Sequence, residues 1–146
     1  MSKPFRVNPS LQDKPTLVDA NIFLRYLLVD DREKAERCRL LFERTVAGEE
    51  TLFTTPLVMA EVVWVLERYH WERGKIARNL GLLLNTPHLR FEQRKILEGA
   101  VSLYAEHAID FIDAYHAALL QERGERRLYS YDEDFDKIAG LERVEP

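Results

Sequence analysis

Six acidic side chains fall close to the ends of the expected strands or at the head of a helix. Asp19 follows the apolar run TLV, and Glu61 lies inside LVMAEVVWVLERYH. Asp110 and Asp113 open DFIDAYHAALLQERG, and Asp132 and Asp134 lie in YDEDFD. Gathering several carboxylates is unfavourable by itself. Two like charges about 4 Å apart repel by about 4 kcal/mol at an effective dielectric of about 20, and one of them would otherwise keep a proton. A hard divalent cation removes that conflict. Magnesium and manganese prefer oxygen ligands, and magnesium keeps waters beside a few carboxylates and substrate phosphates. One such ion, or two about 3.5–4 Å apart, can activate a water and stabilise the leaving oxygen of a phosphodiester. Carboxylates without cysteines therefore point to phosphoryl hydrolysis with Mg2+ or Mn2+ rather than to zinc chemistry.

These acids need elements to position them. TLV, TLFTT, HLRFE and ERRLYS are short strand candidates, and LERVEP adds a last edge strand. Helical stretches separate them, including DREKAERCRLLFERTV with Ala35, Cys38, Leu41 and Phe42 on one side, and a helix opened by Pro56. Short apolar strands alternating with helices predict an α/β fold with a parallel sheet covered on both faces. In such sheets ligands bind at the carboxyl ends of the strands. Asp19, Glu61 and Asp132 are placed at or near that edge by their own strands. Asp113, at about the third position of its helix, reaches it if that helix starts there. The helix itself is so apolar that burial on every side is expected.

The 146 residues suit one domain, residues 15–146, behind a polar tail at 1–14 expected to be flexible. No stretch resembles a signal peptide or a membrane span, and the single Cys38 rules out an internal disulfide and a multi-cysteine zinc site. A cytoplasmic setting follows as the simplest expectation. The formal net charge of −4 argues against a simple basic nucleic-acid binder. Any contact with nucleic acid would use bound cations or local arginines such as Arg25, Arg68 and Arg127.

With these residues in view, the chain resembles the PIN domain family, and most closely its VapC-type toxins. The matching segments are VDANIFLRYL, TTPLVMAEVVWVL, DFIDAYHAALL and LYSYDEDFDKI, in family order from about Thr16 to the C-terminus. The resemblance implies a three-layer α/β/α sandwich with a short parallel central sheet. It implies a Mg2+- or Mn2+-dependent endoribonuclease, commonly the toxin of a toxin–antitoxin pair. Partners would be an RNA substrate, a cognate antitoxin and a second copy in a homodimer. The family's catalytic and metal-binding acids fall on Asp19, Glu61, Asp113 and Asp132. Asp110 is a frequent extra acid, and Asn21 and Ser130 match small polar positions beside the acids. Asp134 is a secondary candidate.

Plainer roles compete for each residue. Asp19 can cap the helix after it, Glu61 can pair with an arginine, and Asp110 can cap its helix with Asp113 completing a box. YDEDFD reads as a solvated loop, without the glycine and terminal glutamate of a calcium loop. The histidines lack HExxH spacing, although His116 shares a face with Asp113. Ser130 lacks a histidine partner. Tyr26, Trp64, Trp71 and Tyr104 are expected as core or dimer contacts rather than as a stacking platform. Alternative functions are a PIN-fold binding module too weak in metal affinity to turn over, and a PIN nuclease of RNA maturation or DNA repair.

Overall fold

The computed structural model describes residues 14–146, so the expected tail lies outside the described residues except for Lys14, which is exposed. Strand β1 (Thr16–Leu17) runs into helix α1 (Ala20–Leu28). The turn between them is fixed by Asp19, whose carboxylate accepts the Ala20 N–H at 2.8 Å. Helix α2 (Arg32–Val46) starts at Asp31, which accepts the Lys34 N–H. It buries Ala35, Cys38 and Phe42, the expected stripe, and Gly48 at φ +80° turns the chain out of it.

Strand β2 (Leu52–Thr54) is the centre of the three-stranded sheet, parallel to β1 on one side and to β3 (Leu89–Phe91) on the other. Thr54 is fully buried, and its hydroxyl donates to the Val18 carbonyl at 3.0 Å. That bond locks the end of β1 against β2, one residue before Asp19. Thr55 caps helix α3 (Pro56–Arg68) by accepting the Val58 N–H, and Pro56 occupies the first helical position as expected.

Helix α4 (Arg73–Leu84) precedes β3, and helices α5 (Arg94–Glu106) and α6 (Phe111–Arg123) follow it. α6 packs chiefly on α5. Their approach is close: a methyl added at Gly99 would lie 3.2 Å from Ala118 Cβ. The core joins Phe23, Leu52, Met59, Leu66, Leu80, Leu97 and Ile109 from across these elements. The α/β class with parallel strands is as expected.

Two expectations fail in detail. α6 is not buried on every side. Phe111, Ala114, Ala117 and Ala118 face the core, while Ile112 is 56% exposed and His116 is in water. The small alanines form the contact face and leave the larger Ile112 outside. The last strands also form their own ladder. β4 (Arg127–Tyr129) pairs in parallel with β5 (Glu142–Val144) and not with the three-stranded sheet. Arg127 and Tyr129 are exposed on either side of Leu128, a pattern unsuited to a strand covered on both faces.

Candidate metal centre

Asp113 is the third residue of α6, on the turn where helix N–H groups favour a negative charge. Asp132 caps the 3-10 turn Glu133–Lys137 just past β4, and Asp134 lies within that turn. One carboxylate oxygen from each of the three lies within 4.8 Å of the others. The sequence separation is bridged by few contacts. Arg73 Nη1 donates to the carbonyls of Tyr104 and Ile109 at 3.0 and 2.8 Å, clamping the chain just ahead of α6. Its guanidinium also lies over the Tyr104 ring at 4.2 Å. Lys137 reaches from the 3-10 turn to the Ala108 carbonyl at 3.0 Å, so the two acid-bearing segments are tied directly.

Ser130 shapes the other segment. Its hydroxyl accepts the Asp132 N–H at 3.0 Å, and Arg143 of β5 donates to its carbonyl. Asp132 in turn accepts the Asp134 N–H at 2.9 Å. Ser130 therefore orients the backbone of Asp132, whereas its carboxylate is set by the turn. Asp110 occupies the N-cap position of α6, but its side chain makes no capping bond, so the expected capping box does not form. Its carbonyl starts the helix by accepting the Ala114 N–H. The free carboxylate instead borders the acid cleft.

Crowding shows in the titration of Asp113. Its pKa is pushed up to about 6, first by burial, then by the charge of Asp132 and a hydrogen bond with it, with Asp110 and Asp134 adding to the effect. These outweigh the helix N-terminus. Below about pH 6 the cluster therefore holds a proton that a divalent cation would displace. Three oxygen donors and no nitrogen or sulfur fit a hard cation such as Mg2+ or Mn2+.

Asp113 stands between two clefts. One, of about 490 Å³, is lined by Ala60, Val63, Trp64, Glu67, Asp110, Phe111, Ile112, Asp113 and Asp132. The other, of about 370 Å³, runs past His116, Tyr129, Ser130 and Phe135. The nearness of His116 to Asp113 is therefore real, along the second cleft.

Asp19 and Glu61 do not join the three-acid set. Asp19 is exposed at the end of β1, with its carboxylate on the Ala20 N–H. Asn21, exposed, is the second residue of α1. Glu61 is exposed on α3, one residue off the stripe of Ala60, Val63, Trp64 and Glu67 that lines the cleft. Among the described residues it makes no ion pair, so the expected arginine partner is absent too. Asp134, a secondary candidate, lies within the cluster.

Sequence reasoning misses Glu67. Its carboxylate accepts the Tyr104 hydroxyl at 2.8 Å and lines the acid cleft. Glu67 shares a helix face with Ala60, Val63 and Trp64, but α3 is apolar over most of its surface, so spacing alone does not select that face. Tyr104 is buried as expected, and its hydroxyl is held well above the usual tyrosine range by burial and by Glu67. Trp64 is not a core residue: it is 58% exposed in the same cleft. Of the expected phosphate-binding arginines, Arg25 pairs with Asp30 at 3.1 Å, Arg68 lies over Trp64, and Arg127 is exposed.

Acids collected beyond parallel strands and at a helix N-terminus accord with a comparison of the whole chain. The sequence profile of the PIN domain matches residues 16–141, and the chain belongs to the PIN domain family. It is 28% identical over 131 residues to the VapC ribonuclease of Aquifex aeolicus (strain VF5), covering 89% of this chain and 96% of that protein. No helix among the described residues is long and apolar enough to cross a membrane.

Proposed function

We propose that this chain is a divalent-cation-dependent endoribonuclease and the toxin of a VapBC-type pair, neutralised by a cognate antitoxin. The observation that carries the reading is the convergence of Asp113, Asp132 and Asp134, the first two of which line a cleft. Membership of the PIN domain family and similarity to a VapC ribonuclease support it. Asp113 and Asp132 would hold the cation with Asp134 beside them, while Asp19 and Glu61 are the outlying acids of the same proposal.

A bound Mg2+ or Mn2+ would supply Lewis-acid stabilisation of phosphoryl charge and make a water acidic enough to attack. The chain's own groups do the rest. Asp113 and Asp132 would hold the cation, and the raised pKa of Asp113 makes that binding compete with a proton below about pH 6. Asp132 is kept in place through Ser130 and the Asp134 N–H. Asp110 and Glu67 keep the cleft negative, so that an RNA phosphate would enter with cations rather than by side-chain charge alone.

Purified protein with single-stranded RNA, in Mg2+, Mn2+ or chelator, tests the activity beside Asp113→Asn and Asp19→Asn. Cation-dependent cleavage lost in Asp113→Asn is the expected result. RNA binding that survives chelation with no cleavage in either metal would make the chain a binding module. Expression in cells is expected to slow growth, and growth like that of the Asp19→Asn strain would remove the toxin role. Sedimentation of the purified chain checks the proposed homodimer.

A further inference from the structure

The acid cleft has an aromatic end. Trp64 is 58% exposed and Ile112 56% exposed, and both line the cleft that holds Asp113 and Asp132. A tryptophan normally contributes by burying its large apolar ring, yet this one sits in water beside the acids. The Arg68 guanidinium lies 4.7 Å from its ring centroid, on one face of the indole. The arrangement is an aromatic plane flanked by a cation, bordering a negatively charged corner.

A nucleotide matches those two ends. Its phosphate belongs at the cation site, and its base is carried a few bonds away on the same sugar. Every base has a π-face, so an aromatic side chain holds it with little regard to sequence. We propose that Trp64 is a stacking platform for an unpaired nucleobase next to the scissile phosphate, with Arg68 beside it on the RNA backbone. This rests on the ribonuclease reading above. Such stacking requires single-stranded or splayed RNA, because a base stacked inside a duplex has no free face to offer. A second copy of this chain seated on Trp64 would cover Asp113 and Asp132 in the same cleft, so the surface suits the substrate better than a homodimer contact.

The test compares wild type, Trp64→Ala and Trp64→Phe on a short single-stranded RNA and on the same RNA with one abasic nucleotide beside the cleavage site. Trp64→Ala is expected to raise KM roughly tenfold with kcat little changed, as for other base–aromatic contacts, and Trp64→Phe to recover most of it. The abasic RNA should weaken the wild type similarly and add nothing to Trp64→Ala. An unchanged KM in Trp64→Ala, no recovery in Trp64→Phe, or additive losses would overturn the proposal. So would a change of sedimenting mass in Trp64→Ala without a change in RNA affinity, which would make Trp64 a subunit contact. Should the wild type cleave nothing in either metal, the ribonuclease reading fails by itself. Stacking is then read in Trp71→Phe protein, whose remaining tryptophan emission should be quenched by the RNA; absence of quenching overturns it.

Discussion

Two acidic regions of this molecule handle charge in opposite ways. On α2, Glu33 pairs with Arg37, and Glu36 and Glu43 share Arg39 at 2.7 and 2.6 Å. Arg39 holds Glu36 below the usual carboxylate range. In the cleft, Asp134 alone of the three clustered acids has a cation partner among the described residues, Lys137 at 2.8 Å. Asp113 and Asp132 face each other, and Asp113 is pushed up instead. The surface helix carries its counter-charge in its own sequence. Among the described residues the cleft offers Asp113 and Asp132 no such partner, and that sets the candidate site apart from the surface helix.

The largest expected contrast is in catalysis. Asp113→Asn and Asp132→Asn should each lower the initial rate of RNA cleavage by on the order of a hundredfold or more. Glu36→Gln, from the paired region, should leave it unchanged. Equal losses from both regions would erase the distinction.

Stability against pH is the next contrast. The folded pKa of Asp113, about 6, lies above its ordinary value of 3.8. The unfolded chain therefore ionises first as pH rises. Stability present below about pH 4 is lost as pH climbs through about 6 in the cation-free protein. Asp113→Asn should remove that slope and melt a few degrees above wild type at neutral pH in chelator. Added Mn2+ should restore the wild type. Melting curves across this range that are the same for both proteins would contradict the crowding.

A smaller effect is expected from Ser130→Ala, which removes the acceptor for the Asp132 N–H. Cation affinity measured by calorimetry should fall about tenfold, as for other groups that orient ligands indirectly. Least of all, Glu36→Gln should leave the melting temperature nearly unchanged, since exposed ion pairs contribute little.

Much of this arrangement is legible in the order and spacing of the residues. The stripe of Ala35, Cys38 and Phe42, the proline start of α3 and the third-position placement of Asp113 follow from spacing, whereas the nearness of Asp132 to Asp113 is implied by the resemblance to PIN domains, because spacing alone brings Asp113 to the strand edge only if its helix starts there. What spacing does not give is rotation. α3 is apolar over most of its surface, so its pattern does not say whether Glu61 or Glu67 turns to the cleft, or that Trp64 turns outward. Nor does it give the separation of β4 and β5 into their own ladder, because a three-residue strand reads alike in either sheet. Asp110 is readable as a cap by position, but position does not say whether its side chain bonds the helix.

The most direct measurement is a calorimetric titration of Mn2+ into wild type, Asp113→Asn and Asp132→Asn, run in two buffers of different ionisation heat at about pH 6, where Asp113 is half protonated. The account predicts saturable uptake by the wild type with release of a proton, a release that fades at higher pH, and binding weakened at least tenfold in both variants. Binding by the variants as tight as wild type, or uptake without a proton, would contradict it.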